Sequence, residues 1–61
     1  MRYDQLEQLL IENGWKFERQ NGSHRIFSHP NRDNIITVPA HRGKDLPKGL
    51  TNAILTQAGL K

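Results

Sequence analysis

The chain contains no cysteine. That absence excludes disulfide bonds and any zinc site built on thiolates, and it fits a reducing compartment. Long apolar runs are also missing, and the first thirteen residues carry Arg2, Asp4, Glu7 and Glu12. Neither a signal peptide nor a membrane span is therefore expected, and the sequence reads as a soluble, cytoplasmic protein. Repeats, low-complexity segments and linkers are absent too, so residues 1–61 are expected to form one domain. Folding at this length buries only roughly 60% of the surface that the unfolded chain exposes. Small chains commonly add a disulfide, a metal or a partner to compensate. With cysteine missing, a stabilising protein partner is the natural expectation.

Acidic residues are scarce after the first third. Residues 1–18 hold two basic side chains against four acidic ones, a net of −2. Residues 19–61 hold seven basic side chains against Asp33 and Asp45 alone, a net of +5. A basic surface of this kind suits a polyanion, because each neutralised phosphate releases condensed counterions. A solvated basic face would have the same composition.

Asp4 followed three positions later by Glu7 resembles a capping box, and Leu6, Leu9 and Leu10 share a helical face, so a helix is expected over about 4–13, closed by Gly14. Trp15 to Arg19 alternates apolar and polar residues, the period of a half-buried strand. Asn21-Gly22 predicts a type I′ hairpin turn, a second strand from Ser23 to Ser28, a polar turn over His29–Asn34, and a β-branched third strand, Ile35 to Val38, ended by Pro39. After a loop from Ala40 to Asp45, a second helix is expected from about Leu46 or Pro47, with Leu50, Ala53, Ile54 and Ala58 on its buried face and Gly59 at its end. The expected architecture is α+β: α-β-β-β-α, a three-stranded antiparallel sheet with two helices on one face. Double-stranded-RNA-binding domains share this order.

Three histidines are present, His24, His29 and His41. Their spacing matches no established zinc pattern, and neither a metal site nor another cofactor is expected. His29 and His41 read as turn and loop residues without a task. His24 stands beside a tight turn, where a rigid backbone projects the side chain and Gly22 lets a ligand come close. An imidazole there can act as base or acid without a cofactor.

The segments Asn13-Gly14-Trp15, Gly22-Ser23-His24-Arg25-Ile26-Phe27-Ser28-His29-Pro30 and Ile36-Thr37-Val38-Pro39-Ala40-His41 resemble motifs of the HicA family. So does Gly43-Lys44-Asp45-Leu46, continuing through Gly49 to Ile54-Leu55-Thr56-Gln57-Ala58-Gly59-Leu60. These blocks cover nearly the whole chain in the family's order. The resemblance implies a toxin of a type II toxin–antitoxin pair, an endoribonuclease that cleaves mRNA and is held inactive by a HicB-like antitoxin protein. It implies the double-stranded-RNA-binding-like fold, and it implies that His24 is catalytic. His41 matches a family position and reads as structural or substrate-positioning. One departure is Gly49-Leu50-Thr51, where many members have Gly-Thr-Leu.

RNA carries its own nucleophile in the 2′-hydroxyl. Cleavage needs deprotonation of that group, stabilisation of charge on phosphorus and protonation of the leaving oxygen. Ser23, Arg25, Lys44 and Lys48 are the candidates for holding RNA phosphate, the last near unpaired amides at the start of the second helix. A non-catalytic double-stranded-RNA-binding module is the alternative, although such modules use several basic residues at the start of the last helix and only Lys44 and Lys48 are available. An adaptor that binds another protein through the open sheet face is a third reading.

Overall fold

A computed structural model describes residues 1–40 and 44–61. Its elements are α1 (Tyr3–Glu12), β1 (Lys16–Asn21), β2 (His24–His29), β3 (Arg32–Pro39) and α2 (Lys48–Gln57), in the α-β-β-β-α order expected from the sequence. The strands form an open antiparallel sheet in the order β1-β2-β3. Among the described residues, no helix is long and apolar enough to cross a membrane.

Residues paired across a ladder point to the same face. Phe17, Phe27 and Ile36 are in register, as are Gln20, Arg25 and Val38, and these side chains form the inner face. Tyr3, Leu6 and Leu10 of α1 and Ile54 and Ala58 of α2 pack against that face in one buried cluster with Trp15, Phe27, Ile36, Val38 and Leu46. Leu50, Leu55 and Leu60 close its margin. The outer face holds the alternate residues of β2, His24 and Ile26, and their partners Arg19, Asn21, Thr37 and Pro39.

Both helices end as their glycines predict. Gly14 and Gly59 have positive φ, +93° and +76°, which an L side chain adopts only under strain. The Trp15 amide donates to the Leu10 carbonyl and the Gly14 amide to Ile11; Leu60 and Gly59 repeat the pattern on Leu55 and Thr56. These paired bonds are Schellman caps, and each brings an apolar residue, Trp15 or Leu60, back onto the core.

The start of α1 differs from expectation. The helix begins one residue early, and Gln5 Oε1 accepts from the Arg2 amide at 3.0 Å in place of an Asp4 cap. Glu7 is unavailable for capping because it pairs with Arg25. A bridge that the sequence pattern does not announce secures this end: the Tyr3 amide donates to the Lys44 carbonyl and the Leu46 amide to Met1, both at 3.0 Å.

The first hairpin turns one residue later than an Asn21-Gly22 type I′ turn would, with a loop of the same length. Asn21 and His24 pair directly, leaving Gly22 and Ser23 as the central residues, and only Gly22 has positive φ. That is the type II′ pattern, with glycine at the first central position. The second hairpin is shorter than expected. His29 pairs with Arg32, so β3 begins three residues before Ile35 and only Pro30-Asn31 turns. Polar Arg32, Asp33 and Asn34 are tolerated because they are exposed on an edge strand, where one side faces solvent. In α2, Leu50, Ile54 and Ala58 pack as expected, but Ala53 is exposed and Thr51 is buried in its stead.

Gly14 carries a second constraint besides its φ. A Cβ there would stand 2.7 Å from His29 Nε2. Gly14→Ala is expected to lower unfolding stability by about 1–3 kcal/mol, by backbone strain and displacement of the imidazole. Urea denaturation followed by tryptophan fluorescence checks this, and an unchanged midpoint would contradict it.

Candidate functional site

The turn Gly22-Ser23 puts His24 at the first position of the central strand, on the outer face. Its register partners are Asn21 on β1 and Pro39 on β3. The side chain is exposed. Among the described residues, no hydrogen bond, ion pair or ring contact engages its imidazole. Both ring nitrogens are therefore open to a ligand, while the backbone beneath is held by strands on either side. Behind it, the Ala40 amide donates to the Ser23 carbonyl at 2.7 Å, which fastens the turn to the end of β3.

His29 is used differently. Its Nδ1 accepts from the Asn31 amide at 3.0 Å, and its Nε2 lies 3.1 Å from the Asn13 carbonyl. An amide N–H can only donate, so Nδ1 is the acceptor and the proton sits on Nε2, donated to Asn13. The ring also meets Trp15 edge-on at 5.1 Å between centroids. His29 thus ties the end of α1 to the β2–β3 turn, a structural task that a turn position alone did not reveal. His41 and Gly43 lie outside the described residues.

The four candidate phosphate contacts are not gathered on one surface. Ser23 is exposed in the turn beside His24. Arg25 is one residue further along β2 and so faces the opposite way. It donates to Glu7 at 2.8 Å, lies 4.2 Å above the Phe17 ring and approaches Gln20 at 3.4 Å. The structure therefore assigns Arg25 to the helix side of the sheet and does not bring it to His24.

Lys44 and Lys48 are exposed near the starts of α1 and α2. The last turn of α1 meets His29, and the end of α2 meets β3 through Asn34 and Arg32. Both helices therefore point their N-termini toward the end of the molecule that carries the β1–β2 turn. Lys44, Lys48, Ser23 and His24 share that end, and the N-terminus of α2 adds partial positive charge there.

A depression on the exposed side of α1 is lined by Asp4, Glu7, Gln8 and Ile11. Its carboxylates make it unsuited to a polyanion. Among the described residues, no three His, Asp or Glu side chains come together as a metal-binding group.

The family model of the HicA toxin of bacterial toxin–antitoxin systems matches residues 3–60. That span is essentially the whole chain, and the chain belongs to this family. No curated protein matches it. Family membership implies a toxin role and an antitoxin partner.

The position of Arg25 makes a specific demand on stability. Its side chain is only 13% exposed and that of Glu7 18%, so losing either partner leaves a charge or its hydrogen bonds uncompensated. Arg25→Ala is expected to cost about 1–3 kcal/mol of folding stability. The check is the urea midpoint of Arg25→Ala, with Lys61→Ala as a control for charge loss. Equal midpoints would show that the pair is not structural.

Proposed function

We propose that this HicA-family chain is a metal-independent endoribonuclease that cleaves mRNA with His24 as its catalytic residue, arrests translation and growth in the cytoplasm, and is neutralised by a HicB-like antitoxin. The observation that carries the reading is the unequal use of the two described histidines. His29 has both ring nitrogens occupied by the fold, whereas His24 stands exposed with neither engaged among the described residues, beside a two-residue turn at the end that carries Lys44, Lys48 and the N-terminus of α2.

Neutral His24 takes the proton of a ribose 2′-hydroxyl as its oxygen attacks the adjacent phosphorus. The 2′-O–P bond forms, the P–O5′ bond breaks, and the strand ends in a 2′,3′-cyclic phosphate and a 5′-hydroxyl. The departing 5′-oxygen takes a proton from water or from a nearby cation such as Lys44. One positioned acid–base group contributes roughly 10²–10⁴-fold. In this reading Ser23, Lys44 and Lys48 hold phosphate during the step, by hydroxyl and ammonium contacts. Of the two side-chain carboxylates after Glu18, Asp33 is on β3 and Asp45 lies between β3 and α2, bridged to Arg2, so a two-metal carboxylate arrangement is hard to build from them.

The test is one gel of wild type and His24→Ala against matched ribo- and 2′-deoxy substrates, each with and without EDTA. Cleavage is expected only by wild type on the ribo substrate, and EDTA should leave the rate nearly unchanged. Near-normal cleavage by His24→Ala, or of the deoxy substrate, would overturn the mechanism; binding without cleavage would favour an RNA-binding module. A second measurement addresses the antitoxin. The net +5 of residues 19–61 suits an acidic partner that covers His24 and associates in a salt-sensitive manner. Amide protection in the complex should include Gly22 to Arg25; protection restricted to α1 would rule out direct occlusion.

A further inference from the structure

Regular alternation along Trp15, Phe17 and Arg19 would place all three side chains on one face, against the helices. The structure departs from this at one residue. Phe17 pairs with Phe27, but Arg19 pairs with Ile26, so Glu18 is an extra residue in a β-bulge. Everything in β1 after the bulge changes face. Gln20 turns inward, where its Oε1 is 3.4 Å from Arg25 Nη1, and Arg19 turns outward onto the face of His24. Bulges re-aim side chains in this way. The inner position is already filled, because Arg25 occupies it with Glu7 and Phe17.

Arg19 is exposed, and its guanidinium makes no hydrogen bond or ion pair among the described residues. Its register partner Ile26 is only 7% exposed, although it lies outside the core cluster. The Glu18 carboxylate, the one anion this bulge presents, is tied to the Ser28 hydroxyl at 2.6 Å. Arg19 lies diagonally across the ladder from His24, a separation of about 7–8 Å between backbones. Lys16 shares the outer face but sits at the far end of β1, opposite Ser28.

We propose that Arg19 grips the RNA backbone beside His24, binding a phosphate through two parallel N–H donors and so positioning the strand for cleavage. This rests on the reading of His24 as the residue that acts on RNA. Arg19 is a positioning residue: it fixes where the backbone lies, and the proton transfer belongs to His24.

The experiment measures binding of a labelled single-stranded RNA in a His24→Ala background, and cleavage kinetics in the active protein. Adding Arg19→Ala should weaken binding about tenfold and make the salt dependence shallower by about one phosphate's worth. Arg19→Lys should recover part of the loss. Lys61→Ala removes the same charge at the other end of the molecule, beside Asn52, and should bind within twofold of the parent. In the active protein, Arg19→Ala should raise KM by a similar factor with kcat little changed, and circular dichroism should be unaltered. Binding by Arg19→Ala within twofold of its parent, or an equal loss in Lys61→Ala, would overturn the inference. Wild type that binds RNA but leaves it intact would overturn the nuclease reading alone, and the binding comparison would still decide Arg19. A parent that binds no RNA would overturn both.

Discussion

Two ten-residue helices can cover one face of a three-stranded sheet and no more, and the rest of the molecule follows from that restriction. The inner face takes the apolar residues that the chain can spare, Phe27, Ile36 and Val38, and receives Tyr3, Leu6, Leu10, Ile54 and Ala58 from the helices. Among the described residues, no helix covers the outer face, and Arg19, Asn21, His24 and Thr37 there are exposed. No disulfide reinforces the arrangement, so the helix ends and turns must hold the layers in register, and both helices are closed by paired Schellman bonds.

The histidines illustrate how such a small fold divides its polar side chains. One imidazole is consumed in holding two turns together, with a donor, an acceptor and an aromatic edge all satisfied. His24 has none of these among the described residues. The two arginines of the β1–β2 hairpin divide similarly. Arg25 is spent on a carboxylate and a ring, and Arg19 is left unspent. In each pair, the free member lies on the bare face of the sheet.

Much of the architecture is legible in the sequence because the signals are local. Gly14 and Gly59 mark helix ends through a backbone conformation that other residues resist, and the leucines of α1 declare their face by spacing. The placement of His24 beside a tight turn is legible for the same reason. What the sequence hides is non-local. Glu7 reads as a cap until Arg25, eighteen positions away, is found beside it. The polar start of β3 looks like loop until its pairing with β2 is seen. Thr51 is buried with its hydroxyl unpartnered among the described residues, where a Gly-Thr-Leu order would put a leucine. The bulge at Glu18 has no composition signal, so the face of Arg19 is the one feature of the site that pattern reading inverts.

The bulge also bears on how β1 can diverge. A substitution at Glu18 alters one contact, the bond to Ser28, and leaves the register of Arg19, Gln20 and Asn21 in place. Loss of that one residue would make the pairing regular after Phe17 and would still leave Arg19 opposite Ile26 on the outer face. A bulged β1 and a regular one would therefore deliver the same hairpin tip, and the extra residue is slack that the strand can hold without moving what lies beyond it.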